Sequence, residues 1–132
     1  MCAEASPQPD PAETSVPRRG AGRAEGSPEP RVVDWSAGPS YRPILEGPPG
    51  TFGMRSGRVD LGPGEGVGAH STGDHEETLV VVEGAGEVAL EGRPPMPIRA
   101  GQSVYIPPRT VHQVRCTGPG RLRYVFVVAP AG

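Results

Sequence analysis

Lysine and asparagine are absent from the 132 residues, so all 13 basic side chains are arginine. Without lysine there is no Schiff-base chemistry and no phosphate-cradling lysine of the P-loop kind. Two cysteines, Cys2 and Cys116, are too few for a disulfide framework, which points to a reducing compartment and a cytoplasmic location. Cys116, in a β-rich stretch, is expected to be a small buried hydrophobe rather than a nucleophile. No apolar run approaches the ~20 residues needed to cross a bilayer. The first residues are acidic and proline-rich rather than basic and then apolar, so a soluble, non-exported protein with no membrane partner is expected. Charge of one sign is also missing: 13 basic against 15 acidic residues leave a net −2, too even for a chain that must coat itself with phosphate backbone. Nucleic acid is therefore not an expected partner.

Glycine and proline are abundant, with 20 and 18 copies. Both oppose long helices and favour short strands joined by turns. In residues 1–30 the only apolar side chains larger than alanine are Met1, Cys2 and Val16. Such a stretch cannot bury enough surface to offset the entropy of ordering it, so it reads as a disordered tail. From Arg31 to the end, short apolar runs alternate with turn signals and give one domain, residues 31–132. Strands are expected at 32–35, 41–45, 53–61, 67–70, 76–83, 87–91, 103–106, 111–116 and 122–128. Turn signals such as Gly62-Pro63-Gly64, Gly84-Ala85-Gly86 and Pro107-Pro108 fall between them. Even spacing without a helical period predicts an all-β sandwich or barrel. The run 78–82, Thr-Leu-Val-Val-Val, is apolar on both faces, so its outer face should be covered. Either a second subunit or the strands around Val32 and Tyr41 could cover it.

Only three histidines are present, His70, His75 and His112. His75 and Glu77 are two apart on one strand and share the face that Leu79 and Val81 continue toward the core. His70 lies across a short connection from them. On the later strand, His112 shares a face with Val114 and Cys116, opposite the polar Gln113 and Arg115, so it too should point inward. Three imidazoles and one carboxylate converging on a barrel interior would form a mixed nitrogen and oxygen site for one divalent metal, with Fe, Mn, Zn and Ni not distinguished. On spacing alone a hydrogen-bonded histidine or a solvated Glu76–Glu77 pair remains the competing reading.

The spacing overlaps a family pattern. Gly64, His70, Thr72, Glu77 and Gly84 resemble the first cupin motif, G-x5-H-x-H-x3-4-E-x6-G. Gly101, Pro107, Arg109, His112 and Cys116 are similar in offset to the second, G-x5-P-x-G-x2-H-x3-N. The resemblance implies a cupin double-stranded β-helix, or jelly-roll barrel, of the compact single-domain bacterial type, usually a homodimer, with a metal at its open end. Thr72 stands where the family has a second histidine, Arg109 replaces a turn glycine and Cys116 replaces an asparagine. The expected ligand set is His70, His75, Glu77 and His112, with His75 supplying the missing group because its parity with Glu77 aims it inward; a three-ligand site of His70, Glu77 and His112 is the fallback. Pro107-Pro108 is expected to fix the bend without the glycine.

Because cupins include oxygenases, isomerases and lyases as well as non-catalytic sugar-binding or sensor proteins, two classes of function follow. One is a metal-dependent enzyme acting on a small molecule; the other is a module that binds a small-molecule ligand without turnover. Tyr105, Tyr124, Phe126, Met54 and Arg55 are candidates for the pocket wall, and Arg55 or Arg58 could fork onto a carboxylate or phosphate.

Overall fold

The computed structural model describes residues 27–132; the tail expected at residues 1–30 lies outside them except for residues 27–30, which carry no regular structure. Nine strands follow: β1 (Tyr41–Glu46), β2 (Arg55–Leu61), β3 (Gly66–Ser71), β4 (His75–Glu83), β5 (Ala85–Leu90), β6 (Met96–Arg99), β7 (Ser103–Ile106), β8 (Val111–Cys116) and β9 (Leu122–Pro130). They form a five-stranded sheet in the order β1-β2-β9-β4-β7 and a four-stranded sheet in the order β3-β8-β5-β6. All pairings are antiparallel. The all-β sandwich or barrel expected from the turn spacing, and the jelly roll that the resemblance implies, is thus the observed architecture.

Alternation along the strands places the core between the sheets. Leu79 and Val81 of β4, Val88 of β5, Ile106 of β7, Val114 and Cys116 of β8 and Leu122 and Tyr124 of β9 are all buried there. Cys116 packs as a small hydrophobe, as expected, and its thiol donates to the Gly120 carbonyl at 3.2 Å. The β4–β5 turn is tighter than its Gly84-Ala85-Gly86 sequence suggests. Ala85 already belongs to β5, and Gly84 turns the chain with φ 85°. A Cβ on Gly84 would meet the Arg121 carbonyl oxygen at 2.0 Å, so only glycine fits.

Three segments depart from the pattern. Residues 32–35 form no strand, and Val32 is 97% exposed. β6 was not legible because Pro97 sits in it. It lies at the edge of its sheet, where a missing N–H costs no ladder bond. On β2, Arg58 has no exposed surface although it faces away from the core. Its guanidinium donates to the carbonyls of Trp35, Ala37, Gly38 and Pro39 and lies 3.5 Å from the Asp60 carboxylate. The segment before β1 is therefore strapped over the outer face of β2 by an arginine. The outer face of β4 is left open, with Val80 41% and Val82 45% exposed.

Candidate metal centre

His70 and His112 face each other across the β3–β8 ladder, and a register shift between Val67 and His70 precedes the pair. Their ring centroids are 4.3 Å apart at a tilt of 59°. Glu77 reaches the same space from β4 in the opposite sheet. One ligand atom from each of the three lies within 4.8 Å of the others, close enough to share an ion. The sequence alone does not reveal that His70 and His112 are cross-strand partners, because β3 and β4 end in different sheets.

Both rings are held the same way. The Nδ1 of His70 lies 2.9 Å from the Gly68 carbonyl, and that of His112 lies 3.0 Å from the Thr110 carbonyl. A carbonyl only accepts, so each Nδ1 carries a proton and each ring turns its Nε2 away from the backbone. Anchoring one ring nitrogen in this way orients the other for a metal. The Nε2 of His112 is buried with no hydrogen-bond partner, although a Glu77 carboxylate oxygen lies 3.2 Å away. Proximity to that carboxylate raises the His112 pKa, aided by the Thr110 carbonyl and opposed by burial. A buried, partnerless nitrogen beside a carboxylate is the arrangement a divalent ion completes. The residues fit such an ion.

His75 is outside this group. It opens β4, half-buried opposite Pro130, and its backbone N–H donates to Thr72 O. Its parity matches that of Glu77, but two residues of strand place it about 7 Å further along. Thr72, where the family has its second histidine, has another task. Its hydroxyl donates to the Pro107 carbonyl at 2.7 Å and accepts from the Thr110 N–H at 3.0 Å. Its own N–H reaches the Thr110 carbonyl that orients His112. Thr72 thus clips the loop that delivers His112. In that loop Arg109 takes φ 53°, so Pro107-Pro108 does not remove the left-handed turn where the family has glycine.

A cupin-domain family model matches residues 57–128, more than half of the chain. The chain belongs to the cupin family. Polyketide synthase CurC of Streptomyces cyaneus is 37% identical over 111 residues, spanning 76% of this cupin and 70% of that protein. Protein SchB of Streptomyces halstedii is 38% identical over 85 residues, spanning 62% of this chain and 61% of its own. A cupin family protein of Methanocaldococcus jannaschii with a double-stranded β-helix fold superposes with a TM-score of 0.66 at 18% identity, covering 76% of this chain and 91% of that one. That likeness extends the jelly-roll description to the family fold.

The triad of this cupin lies on the wall of a cavity of about 580 Å³. Val59, Leu79, Val114, Tyr124, Phe126 and Val128 supply apolar wall, while Ser40, Tyr41, Asp60, Ser71 and Thr72 add polar groups to it. Tyr124 and Phe126 are wall residues as expected, but three other candidates are not. Tyr105 is 60% exposed and donates to Glu76; Met54 is partly exposed; Arg55 is exposed and donates to the Glu46 carbonyl. Neither Arg55 nor Arg58 reaches the cavity. Parity could have set Arg58 aside, since it lies out of phase with Val59 and Leu61, which face inward; Arg55 is in phase with them, and only its place at the start of β2, bonded to the Glu46 carbonyl, keeps it off the wall.

Proposed function

We propose that this cupin is a metal-dependent enzyme acting on a small organic molecule, with His70, Glu77 and His112 holding one divalent ion. The partnerless His112 Nε2 beside Glu77, at the wall of an apolar cavity, carries this reading. Two histidines and one carboxylate are the donor set of non-haem iron oxygenases and of some zinc hydrolases. An ion held there would polarise a substrate oxygen or activate water or dioxygen. This chain's residues aim both imidazoles through their Nδ1 hydrogen bonds and leave the remaining coordination positions to solvent or substrate. The name of the relative CurC supports an organic small molecule, rather than a macromolecule, as the partner.

Thr72 favours a second reading, a binding or sensing module, because its clip role leaves the site one protein ligand short of the family pattern. Metal analysis of untagged protein is expected to find close to one equivalent, and less than about a tenth would refute the site. At free metal a hundredfold above Kd, binding adds about 2.7 kcal/mol, roughly 10 °C in Tm. Chelation is expected to abolish turnover as well as this increment; loss of the increment from a metal-loaded protein without turnover would select the sensor.

The exposed Val80 and Val82 on the outer face of β4 support a homodimer through the five-stranded sheet. Light scattering is expected to give twice the chain mass for the native protein and the single mass for Val80→Asp. A native monomer would refute this contact.

A further inference from the structure

The cavity is open along one side. Its exposed lining residues are Ser40, Tyr41, His70 and Ser71, whereas Leu79, His112, Val114 and Tyr124 on the same wall are buried. The exposed four belong to β1 and the residue before it, or to β3, and each of these strands ends its sheet. The entrance therefore lies between the free edges of β1 and β3. His70 stands at this entrance, while Glu77 and His112 are buried behind it.

Tyr41 is the largest side chain at the entrance, and it keeps 52% of its surface exposed. Three strands fix where its ring lies. Tyr41 faces Val59 across the β1–β2 ladder, and Gly57, on the same face of β2 as Val59, faces Phe126 of β9. The Tyr41 ring is stacked on that of Phe126 with 7° between their planes. Gly57 permits this. A Cβ there would meet Phe126 ring carbons at 2.8 and 2.9 Å and a Tyr41 ring carbon at 3.0 Å. Gly57 is not among the glycines with positive φ, so its backbone conformation gives no reason for a glycine in mid-strand. The close approach of the two rings does. The strap adds a last constraint, since the Ser40 carbonyl accepts from the Asp60 N–H at 2.8 Å and so fixes the chain where Tyr41 leaves it.

We propose that Tyr41 is the specificity-determining residue of this cavity: its ring, stacked on Phe126 over Gly57, narrows the β1–β3 entrance and limits the width of a molecule that passes to Glu77 and His112. The selection is by cross-section rather than charge, and it needs no ion on the triad. A molecule wider than the gap enters only by displacing the ring, which lowers its association rate.

Two alcohols of like chemistry and different width, cyclohexanol and 1-adamantanol, test this on the full chain with and without Zn(II). Exchange-broadened NMR signals of the Leu79 and Val114 methyls, on the inner wall, give the entry rates. In the native protein 1-adamantanol is expected to enter at least tenfold more slowly than cyclohexanol. Tyr41→Ala is expected to speed 1-adamantanol at least tenfold and cyclohexanol less than threefold, while Tyr41→Phe keeps the native ratio. Gly57→Ala, which forces the rings apart, is expected to shift the ring-proton signals of Tyr41 and Phe126 and to lower the selectivity with Tyr41 still present. General loosening of the barrel would speed both alcohols alike and leave their ratio unchanged. Equal entry rates in the native protein, a Tyr41→Ala ratio equal to the native one, or no entry of either alcohol in any variant would overturn the proposal. The expected ratios are the same with and without Zn(II), so failure of the metal-site reading would not alter them.

Discussion

Replacing His112 by alanine is expected to lower divalent-metal affinity by more than about 100-fold, because loss of a residue that merely orients a ligand already costs about 10- to 100-fold. His112 is 1% exposed and its Nε2 has no hydrogen-bond partner, so what the substitution removes first is a donor atom. His112→Gln, which refills the space, guards against simple loss of packing. His75→Ala serves as the contrast and should retain affinity within about twofold, since His75 lies outside the cluster. Equilibrium dialysis followed by elemental analysis reads all three. Retention of metal by both His112 variants and its loss from His75→Ala would reverse the assignment. A pH dependence accompanies this result. Without metal, the raised pKa of His112 means that the folded state holds its proton more tightly than the unfolded chain. That contribution is complete below about 6.5, the ordinary histidine value, and is lost as pH rises through the raised value. Metal competes for the same nitrogen, so its affinity should rise across the same interval, with a proton released on binding.

Much of the scaffold behind this site was legible in the sequence because both the strands and the turns obey local rules. The segments 103–106 and 111–116 coincide with β7 and β8, where inward and outward residues alternate between turn residues. The His70–Glu77–His112 set was legible from parity and motif spacing. The expectation that His75 joins them rested on parity alone, and the cluster leaves it out. Parity tells which face a side chain takes, but not how far along the strand it lies from atoms in another sheet. Thr72 illustrates a different limit: a hydroxyl where a histidine is expected reads as a lost ligand. Only the fold brings Pro107 and Thr110 against it and turns it into the clip that positions His112. β6 was hidden by Pro97, whose strand-breaking effect depends on whether the strand is central or at an edge, and that is a property of the whole sheet. Arg58 was the least legible, because an arginine on a strand ordinarily marks a solvated face, and the residues that bury it lie about twenty positions earlier in the chain.

Arg58 is also where the largest loss of stability is expected. Its side chain is wholly buried, with its terminal nitrogens on carbonyls of Trp35, Ala37, Gly38 and Pro39 and near Asp60, while Nε has no partner. Arg58→Met keeps the bulk of the side chain but leaves several carbonyls under a closed surface without donors. Removing one side of such a buried charged contact costs about 3–5 kcal/mol, or roughly 10–25 °C in Tm for a domain of this size. Arg58→Lys keeps the charge but loses the planar fork that reaches several carbonyls together, so it should recover only part of the loss. The effect should extend to the cavity. The strap runs directly into Ser40 and Tyr41, both on the cavity wall; the Ser40 carbonyl accepts from the Asp60 N–H at 2.8 Å, and Tyr41 stacks on Phe126 with centroids 6.2 Å apart. In Arg58→Met below its Tm, hydrogen exchange is therefore expected to accelerate first at residues 35–41, while β8 and β9 keep their protection. Denaturant unfolding with a cost under about 1 kcal/mol, or exchange that accelerates uniformly across both sheets, would show that the arginine is not what holds the strap on β2.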